Sequence, residues 1–534
     1  MKIPIRLTSI LFIILLAFSC SKKEPTTWDV GLKTPLINTA LTLQNLSQNN
    51  IFESDANGNM FLNIEVDFPF IPEDSLINLD DLLFEDSVRT PINLSIPPGS
   101  QFFNIAKDVT FNAGDARLTY LYLSGGIATI SASSTVNQPV IFDYFVEQSS
   151  NANGAQLGEN NFLLQAGSVN SPSNYTKMIP LGGYGINLTG PNGNSYNQTK
   201  VVLNAKTSPD GGVASVAENQ TLFKTQIVFN NIEPYYVKGY FGSREINIAP
   251  TTNNINFLNN LSGQLQLQDA QLSLQIINTV GADFQFRIDE VVGIKTQTSQ
   301  EVALVGLPIN QTVQMNRAQE IPSSFSDQYT PFIKNFDLNS SNSNIISFIE
   351  NLPNAIRIKG KAVLNPLGNI SSGNDFYFND KKGLVKLKIR IPLKLKANEL
   401  MLNDTIEFKP IDEVNLSRFK GGYLSVLAKN NFPFDLNLNI SLMDEQKNIL
   451  VNIPASQAIA AGISNNLLEI AQFQTSRIRF FVPENIKDLL GKTLFLGIKA
   501  TVNSSPSNEW VQIFNQNTCQ LTISADFKYE MQVD

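Results

Sequence analysis

Val385-Lys386-Leu387-Lys388-Ile389-Arg390-Ile391-Pro392-Leu393-Lys394-Leu395-Lys396 alternates apolar and charged residues with a period of two. That period belongs to an extended strand, whose successive side chains leave on opposite faces; a helix would need apolar residues every three to four positions. Val385, Leu387, Ile389, Ile391, Leu393 and Leu395 form one face, and Lys386, Lys388, Arg390, Lys394 and Lys396 the other. Two readings of the cationic face follow. As protection, lysines and Pro392 keep an edge strand from pairing with another chain. As a site, they offer charge to anionic headgroups, lipopolysaccharide phosphates or an acidic partner. The edge reading is the simpler.

Alternation is the rule outside this run as well. A strand, an Asn, a turn residue and a second strand recur three times. Gly126–Ile130 leads to Asn137-Gln138-Pro139 and Val140–Phe142. Leu272–Ile277 leads to Asn278, Gly281 and Phe284–Ile288. Tyr423–Leu427 leads to Asn430, Asn431 and Phe434–Ile440. The spacing of the copies is that of domains, not of solenoid repeats. Asn231–Gly239 and Asn351–Gly360 form a shorter echo. Asn makes up roughly one residue in nine, a surplus that favours turns over helices. Helix is expected only at Asn344–Glu350, stopped by Pro353, and at Glu484–Leu490, opened by Pro483 and closed by Gly491. The fold is therefore expected to be all-β, with two or three β-sandwich-like domains in series.

The N-terminus gives an address. Lys2 and Arg6 precede an apolar run from Ile10 to Phe18, too short to span a bilayer as a helix and suited to an export signal. Ala17-Phe18-Ser19-Cys20 resembles a bacterial lipobox, with Ala17 where Leu is usual. The expected organisation is a signal peptide at 1–19, a lipidated tether at 20–27 and β-rich domains at 28–150, 151–330 and 331–534. The resemblance implies acylation of Cys20 and attachment to the outer membrane, on its periplasmic or its surface face. The mature chain more broadly looks like the uncharacterised lipoproteins of Bacteroidota. The strand–Asn–Pro/Gly–strand step resembles the late-embryogenesis-abundant type of β-sandwich.

Composition narrows the chemistry. The 534 residues carry a formal net charge of −8, or −10 once Lys2 and Arg6 leave with the signal, so nucleic acid is not an expected partner. Histidine is absent, which removes imidazole ligands and His-based triads. Cys20 and Cys519 are the sole cysteines; with Cys20 acylated no intramolecular disulfide is possible, and Cys519 reads as a small buried apolar residue. Gly491-Lys492-Thr493 lacks the upstream glycine of a phosphate loop, and no Gly-x-Ser-x-Gly elbow occurs. The loop Glu53, Asp55, Asn57, Asn59 reads as a hairpin turn before a calcium site. Asp80, Asp81, Glu85 and Asp86 read as a solvated face.

No catalytic residue, metal ligand or cofactor is assigned. The sequence points to a non-catalytic, outer-membrane-anchored protein that binds an envelope partner or scaffolds an assembly. The alternatives are a lipid or amphiphile binder with a β-lined groove and a surface protein that binds or processes glycans.

Overall fold

The computed structural model describes residues 26–42, 51–71, 76–255, 261–321, 329–407, 416–463, 469–504 and 509–533. The chain is nearly all β. Both expected helices form, as α1 (Ile345–Glu350) and, after a 3-10 turn at Glu484–Ile486, α2 (Lys487–Leu490). The chain divides into two compact units. The first comprises 1–63, 256–270 and 390–534; the second comprises 64–255 and 271–389.

One strand order is used three times. Three of the longer strands stand ahead of the first sandwich set, with short strands such as Phe52–Ser54 left unlabelled: β1 (Thr26–Leu41), β2 (Met60–Pro69) and β3 (Leu82–Arg89). Seven strands then follow for each sandwich. The first set is β4 (Gln101–Thr110), β5 (Arg117–Ser134), β6 (Val140–Val146), β7 (Gly158–Leu164), β8 (Ser173–Pro180), β9 (Gln198–Thr207) and β10 (Thr221–Tyr240). They form the sheet orders β8–β5–β10–β3 and β4–β9–β6–β7.

The second set is β11 (Arg244–Asn254), β12 (Gln271–Asn278), β13 (Phe284–Lys295), β14 (Gln300–Ala303), β15 (Phe332–Leu338), β16 (Ala355–Leu364) and β17 (Leu384–Pro392). Its orders are β15–β12–β17–β2 and β11–β16–β13–β14. The third set is β18 (Lys394–Glu407), β19 (Phe419–Asn430), β20 (Phe434–Met443), β21 (Ile449–Pro454), β22 (Gln474–Val482), β23 (Phe495–Ser504) and β24 (Cys519–Val533). Its orders are β22–β19–β24–β1 and β18–β23–β20–β21. In every case the fifth, second and seventh strands of the set pair in that order, and an N-terminal strand closes the sheet.

The N-terminal strands are dealt out in reverse: β1 to the last sandwich, β2 to the middle one, β3 to the first. The expected bounds 28–150, 151–330 and 331–534 therefore do not follow the sheets. β1 pairs with β24 along its length, from Thr26 opposite Val533 to Leu41 opposite Cys519. Alternation marks a strand in sequence but leaves its neighbour unspecified, so a serial reading is the default that this pairing overrides.

The three Asn-centred steps of the sequence are the links between the second and third strands of each set, where the chain leaves one sheet for the other. Asn278 is fully buried; its Nδ2 donates to the carbonyls of Ala282 (2.9 Å) and Asn316 (2.8 Å), and its Oδ1 accepts from Val280 N (2.9 Å). Asn430 repeats this: Nδ2 donates to Phe434 O (3.2 Å) and Ala460 O (2.9 Å), and Oδ1 accepts from Phe432 N (2.9 Å). In the first sandwich the equivalent is Ser134, fully buried, whose Oγ accepts from Val136 N and donates to Leu222 O. Asn137 is exposed and its Oδ1 accepts from Ser215 N instead, so the buried anchor of the first copy lies three residues before the expected Asn. The shorter echo is not a repeat in the fold: Asn231–Gly239 lies within β10, whereas Asn351–Gly360 leads into β16.

Aromatic side chains fill the space between facing sheets. In the first sandwich Phe223 of β10 meets Phe103 of β4 and Phe142 of β6, each at 5.1 Å between centroids. In the second, Phe70 meets Phe286 of β13 at 5.0 Å, edge to face. Burial of this kind gives roughly 25 cal/mol per Å² and is the main source of stability.

Within the second unit the two sandwiches share a sheet. Asp375–Phe378, between β16 and β17, pairs antiparallel with Tyr236–Gly239 of β10. Asp375 is fully buried and accepts from Phe241 N (3.1 Å) and Asn365 Nδ2 (2.8 Å). Arg317 reaches it at 3.7 Å and binds Asp283 at 2.8 Å. Phe376 and Phe378 pack beside it with Tyr236, whose hydroxyl donates to Glu320 (2.5 Å).

Two expectations follow. Asn278→Ala and Asn430→Ala each orphan buried backbone groups and should destabilise the protein by about 2–4 kcal/mol, against less than about 0.5 for Asn137→Ala, read from denaturant midpoints. Equal effects at all three positions would contradict the role given to the buried pair. Cys519 is 1% exposed and burial pushes its thiol up to about 12, so it should resist a thiol reagent at pH 8 until the chain unfolds.

Candidate functional site: the basic strands

The cationic run is two strands, not one. β17 ends at Pro392, which has no N–H for the ladder, and β18 starts at Lys394. Leu393 is the pivot. Its N–H donates to Met60 O (2.9 Å), its carbonyl accepts from Ile513 N (3.0 Å), and Met60 N donates to Ile513 O (3.1 Å). Three chain segments are thus joined in a closed ring of backbone hydrogen bonds. The apolar face behaves as its period requires: Val385, Leu387, Ile389, Ile391, Leu393 and Leu395 are all buried.

Neither strand is an edge. β17 lies between β2 and β12. β18 lies between the strand Leu261–Leu267 on one side and β23, with the short strand Val511–Gln512, on the other. Edge protection is therefore not the role of these lysines. Their charge sits on the outer face of interior strands.

The five cations divide by partner. Lys386 lies 3.5 Å from Glu65 and 3.4 Å from Asp67, and Lys388 lies 3.5 Å from Glu65, all across the β17–β2 pair. These carboxylates stand about half exposed, so each contact contributes about 0–1 kcal/mol, screened by salt. Arg390 lies over the Phe61 ring at 4.0 Å, and Lys396 over Trp510 at 4.9 Å. Lys386 and Lys388 belong to the second unit; Arg390, Lys394 and Lys396 belong to the first.

Lys394 lines a cleft of about 250 Å³, together with Asn59, Phe61, Gln268, Asp269, Pro392 and Gln512, all within the first unit. Beside it the hairpin Phe52–Ser54/β2 turns through Asp55, whose carboxylate accepts from Asn57 N, Asn59 N and Asn59 Nδ2 at 2.8–2.9 Å. The Asn59 side-chain hydrogen bond, with smaller help from the same loop's N–H groups and Arg390, holds that carboxyl below its ordinary pKa. Asp55 is thus the closing residue of the turn. The acids expected as a solvated face also have local partners: Asp81 accepts from Asn231 N, Glu85 from Gln226, and Asp86 lies 3.9 Å from Lys107. Cys20 lies outside the described residues.

Sequence reasoning found the lysines and missed what surrounds them. Phe61, Asp269, Gln512 and Trp510 come from distant segments that carry no shared motif. Trp510 had a signal only in being one of two tryptophans.

No family model matches the chain, and no curated protein matches it. Among solved structures, a Parabacteroides distasonis protein described as secreted overlays with a TM-score of 0.27 at 12% identity, covering 54% of this chain and 83% of that one. Structures of infectious bursal disease virus, Gx strain, and of its VP2 subviral particle give TM-scores of 0.13 and 0.10 at 9% and 8% identity. They cover 86% of this chain and 84% and 83% of theirs. Superpositions this loose transfer neither strand order nor activity.

The geometry makes two expectations for the charged face. Lys388→Val with Arg390→Val should leave the protein monodisperse by light scattering, because both neighbours of β17 are already paired; concentration-dependent oligomers would return the run to an accessible edge. Lys386→Glu, which sets a third carboxylate beside Glu65 and Asp67, should cost about 1–2 kcal/mol at low salt and less at high salt, whereas Lys386→Met should be near neutral.

Proposed function

We propose that this is a non-catalytic, lipid-anchored protein of the outer membrane that holds an envelope partner on its β-sandwiches. The observation that carries the reading is the β1–β24 ladder. From Thr26, the first described residue, to Leu41 the chain is paired with β24, and in sequence Thr26 lies six residues after Cys20. A strand built into a sheet so soon after Cys20 in the sequence would join the folded part to an acylated cysteine through only a few residues. Acyl chains contribute about 0.8 kcal/mol per buried methylene, so the anchor needs no protein–membrane contact. Among the described residues no helix is long and apolar enough to cross a membrane.

The amphiphile-binder reading has less support. The interior of the second sandwich, between Phe68, Phe70, Ile248, Phe286, Ile288 and Ile358, has no room for a water molecule. An acyl chain would have to displace packed aromatic side chains there.

The anchoring half is tested with Cys20→Ala. The variant should move from the membrane to the soluble fraction, and only the wild-type chain should take up labelled palmitate. Membrane retention of the variant, with no label on the wild type, would remove the anchor from the reading. The binding half is tested by crosslinking on intact cells: a scaffold gives discrete protein adducts, and an absence of adducts at every linker length would count against it.

A further inference from the structure

We infer that the Lys394 cleft of the first unit is a binding site for a carboxylated sugar, one uronate ring of an acidic glycan. The inference goes beyond the anchoring and partner reading and does not depend on it. About 250 Å³ lies below the usual range for drug-sized ligands; it suits a single six-membered ring and is too small for a nucleotide.

Next come the groups the cleft leaves to a ligand. Phe61, one face of which Arg390 covers, and Pro392 line the cleft with ring surface suited to the C–H face of a pyranose. Gln512 is 9% exposed and its Nε2 donates to Ile513 O at 3.0 Å. Its Oε1 takes no hydrogen bond among the described residues, which leaves a nearly buried acceptor in the cleft wall. Asp269 is half-buried; its Oδ1 accepts from Ala270 N at 2.8 Å, and Oδ2 has no donor among the described residues. Two such acceptors match a pair of ring hydroxyls.

The charge selects the acid. Lys386 and Lys388 each have a carboxylate within 4 Å. Lys394, half-buried in the cleft, has none among the described residues. Arg390 lies over the Phe61 ring at 4.0 Å, its charge partly offset by the Asp55 carboxylate, which leaves Lys394 as the main cation of the cleft. A uronate carboxylate would accept a charge-assisted hydrogen bond from Lys394 Nζ while its hydroxyls donate to Asp269 and Gln512. The site is also preorganised. The backbone ring through Met60, Leu393 and Ile513 fixes the segments that carry Phe61, Lys394 and Gln512, so little ordering remains for the ligand to drive.

The test is calorimetric titration of the full mature chain with three probes: trigalacturonate, trimannuronate and a glucuronate-containing disaccharide. Each is compared with its carboxyl-reduced, neutral counterpart, and inorganic phosphate is titrated as a competitor. The expected result is saturable binding of at least one uronate, with the neutral form about tenfold weaker or worse. Lys394→Gln should lose the same factor, and Phe61→Leu, which keeps the side chain's bulk, should also weaken binding. Lys388→Gln should stay within about twofold. Matching melting curves check the fold; if Phe61→Leu unfolds, the Lys394→Gln and Lys388→Gln pair carries the test. Failure of all three uronates to bind, unchanged affinity in Lys394→Gln, or equal affinity for the neutral counterparts would overturn the inference. Displacement of the uronate by phosphate at equal concentration would also overturn it, assigning the cleft to phosphate-bearing ligands.

Discussion

A chain that leaves one sheet of a sandwich for the other must carry its peptide groups past the apolar core, where an unpaired N–H or C=O costs about 1–3 kcal/mol. Each sandwich here meets that constraint at the same link. Asn278 and Asn430 each hold a downstream N–H with Oδ1 and two carbonyls with Nδ2, and Ser134 does the smaller version. Because the link is fixed, the next strand enters the facing sheet in one register. A slip by one residue would turn its buried positions outward. The common strand order of the three sandwiches rests on this step.

The second constraint is nesting. The final strand of each seven-strand set pairs with a strand from the beginning of the chain: β24 with β1, β17 with β2, β10 with β3. Among the described residues β1 pairs only with β24, so its pairing spans the largest sequence separation described. Folds dominated by such pairs form slowly, because loop-closure entropy is spent before contacts compensate. Within the second unit, the buried Asp375 with Asn365 and Arg317 ties the segment Asp375–Phe378 to the end of β10. Losing one member would strand a buried charge, which is why such networks fix an arrangement more than they add net stability.

The basic run shows how one pattern divides between two environments. Its alternation is continuous, yet Pro392 and Leu393 break it into strands that belong to different sheets. Before the break Lys386 and Lys388 face Glu65 and Asp67, while Arg390 lies over the Phe61 ring. After it Lys394 lines the cleft and Lys396 lies over Trp510. The local period is the same on both sides; the neighbours decide whether a lysine balances a charge or is left for a ligand.

Much of the fold was legible in the chain itself. Period-two alternation, scarce helix signals and surplus Asn determined an all-β protein, both short helices, the hairpin closed by Asp55 and the recurrence of one strand–turn–strand step. These are local properties, set by side-chain direction and turn chemistry within a few residues. The same reading located the five cations and the apolar face behind them. Tertiary structure alone decided that β1 closes the last sandwich, that β17 is interior, that Ser134 and not Asn137 is the first copy's buried link, and that Phe61, Asp269 and Gln512 meet around Lys394. Those facts depend on which strands pair across hundreds of residues. Pairing is selected by the summed burial and hydrogen bonding of whole sheets, a quantity that no short window of sequence contains.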